Sequence, residues 1–235
     1  MHGLNGRHIV VTGGTGGLGT AVVGRLLEAG AVCHVPCNDP GELAGYPHAG
    51  HERLAVAALD LTGEEAVTAF YRTIPVLFAS IHLAGGFAMA PITETGHGAF
   101  ARLLDINLTT CFLCCREAVR RMRADGAPEG GRIVNVAARP ALEPRSAGGM
   151  VAYATAKAAV AGLTQSLAAE VSGAGILVNA VAPSILDTPA NRRDMPDADH
   201  ARWPRTDEVA SAILFLASPE NRLTHGAILP VYGQA

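Results

Sequence analysis

The pentapeptide YATAK, Tyr153 to Lys157, holds the only lysine among the chain's 18 strong bases; the rest are arginines. In a helix, residues four apart share a face. A phenol with a pKa near 10 is a poor proton shuttle at neutral pH. A fixed positive charge beside it stabilises the phenolate and lowers that pKa. Lysine suits this task because its ammonium is compact and its donors rotate, whereas a guanidinium is a planar fork. The spacing therefore predicts an acid/base tyrosine, Tyr153, with Lys157 as its activator and a donor to cofactor hydroxyls. The plain alternative is an ordinary helix pair.

A second chemical feature is TGGTGGLG, Thr12 to Gly19, which follows an apolar strand and opens a helix. Glycines here let backbone N–H groups approach a pyrophosphate at the positive helix N-terminus. A tight turn without a ligand would use the same residues, but the strand–turn–helix setting favours dinucleotide binding. Asp60, ending the third strand, is placed to accept from an adenine amino group, or else caps a helix. An acid at the end of the second strand would bind a ribose diol. That strand runs HVPCND, with Cys37 at the expected position and Asp39 beyond it. No Arg or Lys lies between Ala31 and Glu52 to meet a ribose phosphate, so NAD(H) is favoured over NADP(H).

The five cysteines include CFLCC, with Cys111, Cys114 and Cys115 on one face of an apolar helical pattern. They read as small buried hydrophobes. No histidine stands at ligand spacing beside them, so no metal site is expected. The odd count argues against a disulfide framework.

These residues need elements to position them. Short β-branched runs alternate with helical patterns. Strands are expected at His8–Thr12, Val32–Val35, Leu54–Asp60, Leu77–Gly85, Gly131–Ala138, Ile176–Pro183 and Ala227–Gly233. Helices are expected from Leu18 to Gly30, over Glu64–Ile74, Phe100–Arg123 and Val151–Val171, and over Thr206–Ala217. The pattern predicts one doubly wound α/β Rossmann domain over residues 1–235, with about seven mostly parallel strands and helices on both faces. Residues 184–205, rich in proline and charge, read as a substrate lid. The net charge of −3 gives no reason to expect nucleic acid or an acidic membrane. The apolar run at the start is short for a signal segment, and no stretch reads as a membrane span of about 20 residues. A cytoplasmic protein acting on a small molecule is expected.

The motifs TGGTGGLG, LDL with Asp60, LAGG, DIN with Asn107, YATAK and VNAVAPSILDTP together resemble the short-chain dehydrogenase/reductase family along nearly the whole chain. The resemblance implies a nicotinamide-dependent oxidoreductase. Tyr153, Lys157 and Asn107 would be catalytic, Asn107 holding a proton-relay water. Gly13, Thr15, Gly17, Leu18, Gly19, Cys37, Asp60, Leu61, Ala84, Gly85, Lys157, Pro183, Ile185 and Thr188 would line the cofactor. The helices over Phe100–Arg123 and Val151–Val171 resemble the family's subunit contacts, which implies a homodimer or homotetramer.

One family feature is missing. A serine normally follows the fifth strand and polarises the substrate oxygen; here Ala137 and Ala138 stand there, and the stretch to Tyr153 runs about two residues long. Losing such a donor costs roughly 10²–10³ in rate. Either Ser146 or Ser184 substitutes, or the substrate is an activated carbonyl or imine. A narrower resemblance, to the dihydropteridine reductases, covers Ala84–Phe87, Ala147–Val160 and Leu186–Trp203 and points to a quinonoid dihydropterin; Asn107 and VTGG follow the general family instead. The alternative function is a non-catalytic dinucleotide-binding sensor or scaffold.

Overall fold

Seven strands lie parallel in one sheet, in the order β3-β2-β1-β4-β5-β6-β7, in a computed structural model that describes residues 3–125 and 130–234. They are β1 (His8–Thr12), β2 (Val32–Cys37), β3 (Leu54–Ala58), β4 (Leu77–His82), β5 (Gly131–Val136), β6 (Ile176–Pro183) and β7 (Ile228–Val231). Their sequences are near-continuous apolar runs because both faces are covered. All six residues of β4 are buried. Helices α1 (Gly17–Glu28) and α8 (Thr206–Ala217) close one face. Helices α2 (Glu64–Arg72), α4 (Thr110–Ala124) and α6 (Val151–Val171) close the other. The strand order reverses between β1 and β4, and in such sheets ligands bind in the crevice beyond the strand ends at that point.

Several boundaries differ from the sequence reading. β2 runs on to Cys37, whereas β3 stops at Ala58, β4 at His82 and β5 at Val136. The strands that were expected to be longer leave the sheet where their chains turn toward the crevice. The helix expected over Phe100–Arg123 starts as α3 (His97–Leu104) and passes through a π turn at Asp105–Thr109 before α4. Such widened turns concentrate at functional sites. By length and composition the run His97–Ala124 is apolar enough to cross a membrane, contrary to the expectation of no such stretch. Cys111, Leu113, Cys114, Ala118 and Met122 are nevertheless buried in the core layer that α4 shares with α2.

No helix forms between β2 and β3. A 3-10 turn at Pro40–Leu43 leads the chain back over the glycine turn. The Tyr46 hydroxyl donates to the Gly14 carbonyl at 3.0 Å, and the His48 ring meets the Thr20 carbonyl at 3.0 Å. Residues 184–205 carry two short helical pieces, α7 (Pro189–Asp194) and a 3-10 turn at His200–Arg202, and Trp203 is buried. A further one-turn helix, α5 (Arg139–Leu142), follows β5.

Candidate active site

At the end of β1, Gly13 adopts φ +64°, and a Cβ there would stand 2.7 Å from the Ala84 nitrogen. The glycine turn and the Ala84–Gly85 backbone are thus in contact across the switch point. Thr12 accepts from the Ala84 N–H through its hydroxyl at 3.2 Å. Gly19 has a different reason for lacking a side chain: its Cβ would fall 2.0 Å from the Gly13 carbonyl oxygen. That glycine closes the turn on itself. A Cβ on Gly17 would meet only the Thr188 methyl, at 3.3 Å, which brings Thr188 to the mouth of the turn. Thr188 also caps α7, accepting from the Asn191 N–H at 3.2 Å. Leu18 and Leu61 direct their side chains into the two core layers, so what they offer a ligand is backbone. Pro183 ends β6 paired with Val231, and Ile185 is an exposed apolar residue beyond it.

Asp60 and Cys37, expected at the adenosine end of a cofactor, make local contacts. Asp60 lies two residues beyond β3, and its carboxylate accepts from the Thr62 N–H at 2.8 Å in a local turn. The Cys37 thiol donates to the Asp39 carbonyl at 3.0 Å. Glu42, which the sequence reading passed over, also bonds to the glycine turn. Its carboxylate accepts from the Thr15 hydroxyl and lies 4.0 Å from the Cys37 sulfur. Only the stretch between Cys37 and Leu54, where no helical pattern is read, could have signalled it, because a returning loop has to lie over the turn.

At the other end, Asn107 sits in the π turn and is buried. Its amide donates to the Gly86 and Leu103 carbonyls at 2.9 Å each, and its oxygen accepts from the Gly86 N–H at 3.3 Å. A Cβ on Gly85 would stand 2.5 Å from that oxygen and 3.4 Å from the Lys157 nitrogen. Gly85, Asn107 and Lys157 are therefore brought together. Lys157 is buried, donates to the Val136 carbonyl at 2.9 Å, and lies 6.0 Å from the Tyr153 ring centre. The Phe87 ring stands edge-on to the half-buried Tyr153 at 5.0 Å. Burial pushes the Tyr153 phenol up to about 12. It pushes the Lys157 ammonium down to about 8, partly opposed by the Cys111 thiol. The lowering expected from Lys157 does not show in the net Tyr153 shift, which is upward. The ammonium is anchored on β5, and desolvation of the phenol outweighs its field.

Ala138 follows β5 in extended conformation and is buried. The Ser146 hydroxyl donates to the Glu143 carbonyl at 2.8 Å, and Ser184 to the Tyr232 carbonyl at 2.7 Å. Both hydrogens are committed to the backbone.

Residues 7–199 match the short chain dehydrogenase family. The chain is 38% identical to cis-4-hydroxycyclohexanecarboxylate dehydrogenase of Sinomonas cyclohexanicum, over 97% of this chain and 95% of that one. It is 32% identical to the NAD(+)-dependent 2-dehydro-3-deoxy-L-rhamnonate dehydrogenase of Sphingomonas sp. (strain SKA58), over 97% and 94%. Among solved structures, ElxO with NADP bound superposes with a TM-score of 0.87 at 25% identity, covering 97% of this chain and 98% of that one.

Proposed function

Because the chain belongs to the short chain dehydrogenase family and is an NAD(P)-dependent oxidoreductase, we propose that it moves a hydride between a nicotinamide and an activated carbonyl or imine carbon. The cradle fits such a cofactor. Gly13 against Ala84 and Gly17 beneath Thr188 leave backbone open where side chains would close it. Bound nicotinamide supplies or accepts the hydride. Tyr153 gives its proton to the substrate heteroatom, or takes it back in oxidation. Lys157, fixed by Val136, stabilises the phenolate left behind. Asn107 positions the Gly85–Gly86 backbone beside Lys157 and is assigned the relay water.

The observation that carries the substrate class is Ala138, with the hydroxyls of Ser146 and Ser184 both bonded to backbone carbonyls. Without an oxyanion donor worth about 3 kcal/mol, the hydride acceptor itself has to be reactive. A quinonoid dihydropterin is one such acceptor. The sensor or scaffold alternative is not favoured, since the relatives are dehydrogenases and a sensor needs no proton donor.

For the cofactor we assign NAD(H). Glu42 beside Thr15 offers a carboxylate to a ribose diol and repels a ribose phosphate. We place the enzyme in the cytoplasm as a homodimer or homotetramer, a reading supported by the exposed Phe112 on α4. The test is NADH oxidation by wild type and Tyr153→Phe with an activated acceptor. Loss of turnover at unchanged NADH affinity supports the assignment, and retained turnover refutes it.

A further inference from the structure

Beneath the crevice floor lies a cluster that the reaction does not use. His82 ends β4, and Cys111 and Cys115 stand one turn apart on α4; all three are buried. The histidine whose absence from the local sequence argued against a metal arrives from another element. One ring nitrogen of His82 and the two sulfurs all lie within 4.8 Å of one another. We propose that His82, Cys111 and Cys115 form a site for a thiophilic divalent cation of the zinc class.

The Cys115–His82 separation suits such an ion. The Cys115 sulfur is 3.4 Å from His82 Nδ1. An ion about 2.3 Å from sulfur and about 2.0 Å from nitrogen would subtend that gap at roughly 100°, close to tetrahedral. Asn135 Oδ1, 2.7 Å from His82 Nδ1 and 3.4 Å from the Cys115 sulfur, takes the hydrogen bonds that the ion would replace. Its orientation is fixed, because the Asn135 amide donates to the Thr164 hydroxyl at 2.9 Å.

The outer partners fit as well. A ligating imidazole needs an acceptor for its other ring N–H. His82 Nε2 lies 2.8 Å from the Ser80 hydroxyl, which in turn lies 2.8 Å from the Tyr71 hydroxyl. Binding replaces two S–H bonds by two sulfur–metal bonds and releases two protons to solvent, with no change of oxidation state. The imidazole proton moves from Nδ1 to Nε2. Two thiolates neutralise a divalent ion, so the filled site adds no net charge to the core. Thiolate with imidazole selects zinc-class ions over oxygen-seeking ones.

The ion would tie β4 to α4 where Leu83–Gly86 and the Asn107 turn leave them, bracing the crevice floor from below. The test uses the full chain refolded with Co²⁺ and then desalted. The expected result is one cobalt per chain with thiolate-to-cobalt charge-transfer absorption, bleached by Zn²⁺. That absorption should vanish in Cys115→Ala and His82→Asn and persist in Cys114→Ala, which alters the same helix outside the cluster. Zn²⁺ should raise the melting temperature of wild type but not of Cys115→Ala. If a variant fails to fold, the wild-type arm still decides. Absence of stoichiometric cobalt in folded wild type, or a band that survives in Cys115→Ala, would overturn the site and show a purely hydrogen-bonded core.

Discussion

Lys157 lies one helical turn beyond Tyr153, yet its ammonium is tied to the Val136 carbonyl at 2.9 Å while standing 6.0 Å from the phenol ring centre. The charge is anchored on the sheet, and it acts on the phenolate through space. With its pKa raised to about 12, Tyr153 is a loaded acid throughout the neutral range. For reduction, kcat/KM should be level from about pH 6 to 7 and fall above about 8, where Lys157 loses its charge, while for alcohol oxidation it should rise with pH below about 8 as the phenolate fraction grows. Initial-rate profiles in both directions check this; equal profiles would contradict it.

Keeping Lys157 buried and charged destabilises the fold. Its pKa falls from 10.5 to about 8. A base with a depressed folded pKa destabilises fully below that value, and the penalty is relieved as pH rises from about 8 to 10.5. The shift corresponds to about 3 kcal/mol, offset by about 1 kcal/mol for the lost Val136 hydrogen bond. Lys157→Met should therefore be inactive but more stable by about 2 kcal/mol at pH 7, with the advantage gone above about pH 10. Denaturant unfolding at both pH values measures it. Lys157→Arg should not restore activity, because the planar fork cannot occupy the same point.

Glu42 sets the cofactor. Glu42→Ala should improve NADPH relative to NADH by at least about tenfold in kcat/KM, since like charges juxtaposed cost several kcal/mol. Unchanged ratios would move the selecting group elsewhere.

Residues 187–203 are proposed to close over the nicotinamide end. Thr188 stands close to the glycine turn, where a Cβ on Gly17 would meet its methyl, and Arg192 holds Asp187 at 2.6 and 2.8 Å. Limited proteolysis should cut this segment more slowly with NADH bound. Equal cutting in both states would make it a fixed surface excursion.

The strand–helix alternation, the glycine turn and the i,i+4 placing of Tyr153 and Lys157 were readable because each depends on local spacing, while Asn107 was assigned from the family resemblance alone. β6 and α6 follow the expected bounds residue for residue. What could not be read depends on chain return. Glu42 reaches Thr15 only because no helix intervenes between β2 and β3. His82 meets Cys111 and Cys115 only because α4 lies on β4. The direction of the Tyr153 shift was missed because i,i+4 spacing says that Lys157 is near, while burial and the Val136 carbonyl decide what it does.

The most direct measurement is kcat/KM for a quinonoid dihydropterin or an activated dicarbonyl against a simple ketone, in wild type, Ala138→Ser, Ser146→Ala and Ser184→Ala. Activated acceptors should lead by roughly 10²–10³, the value of the missing donor. Ala138→Ser should narrow the gap by at most that factor, and neither alanine variant should alter it. Brisk reduction of the simple ketone by wild type, or a hundredfold loss in Ser146→Ala or Ser184→Ala with NADH binding intact, would contradict the account.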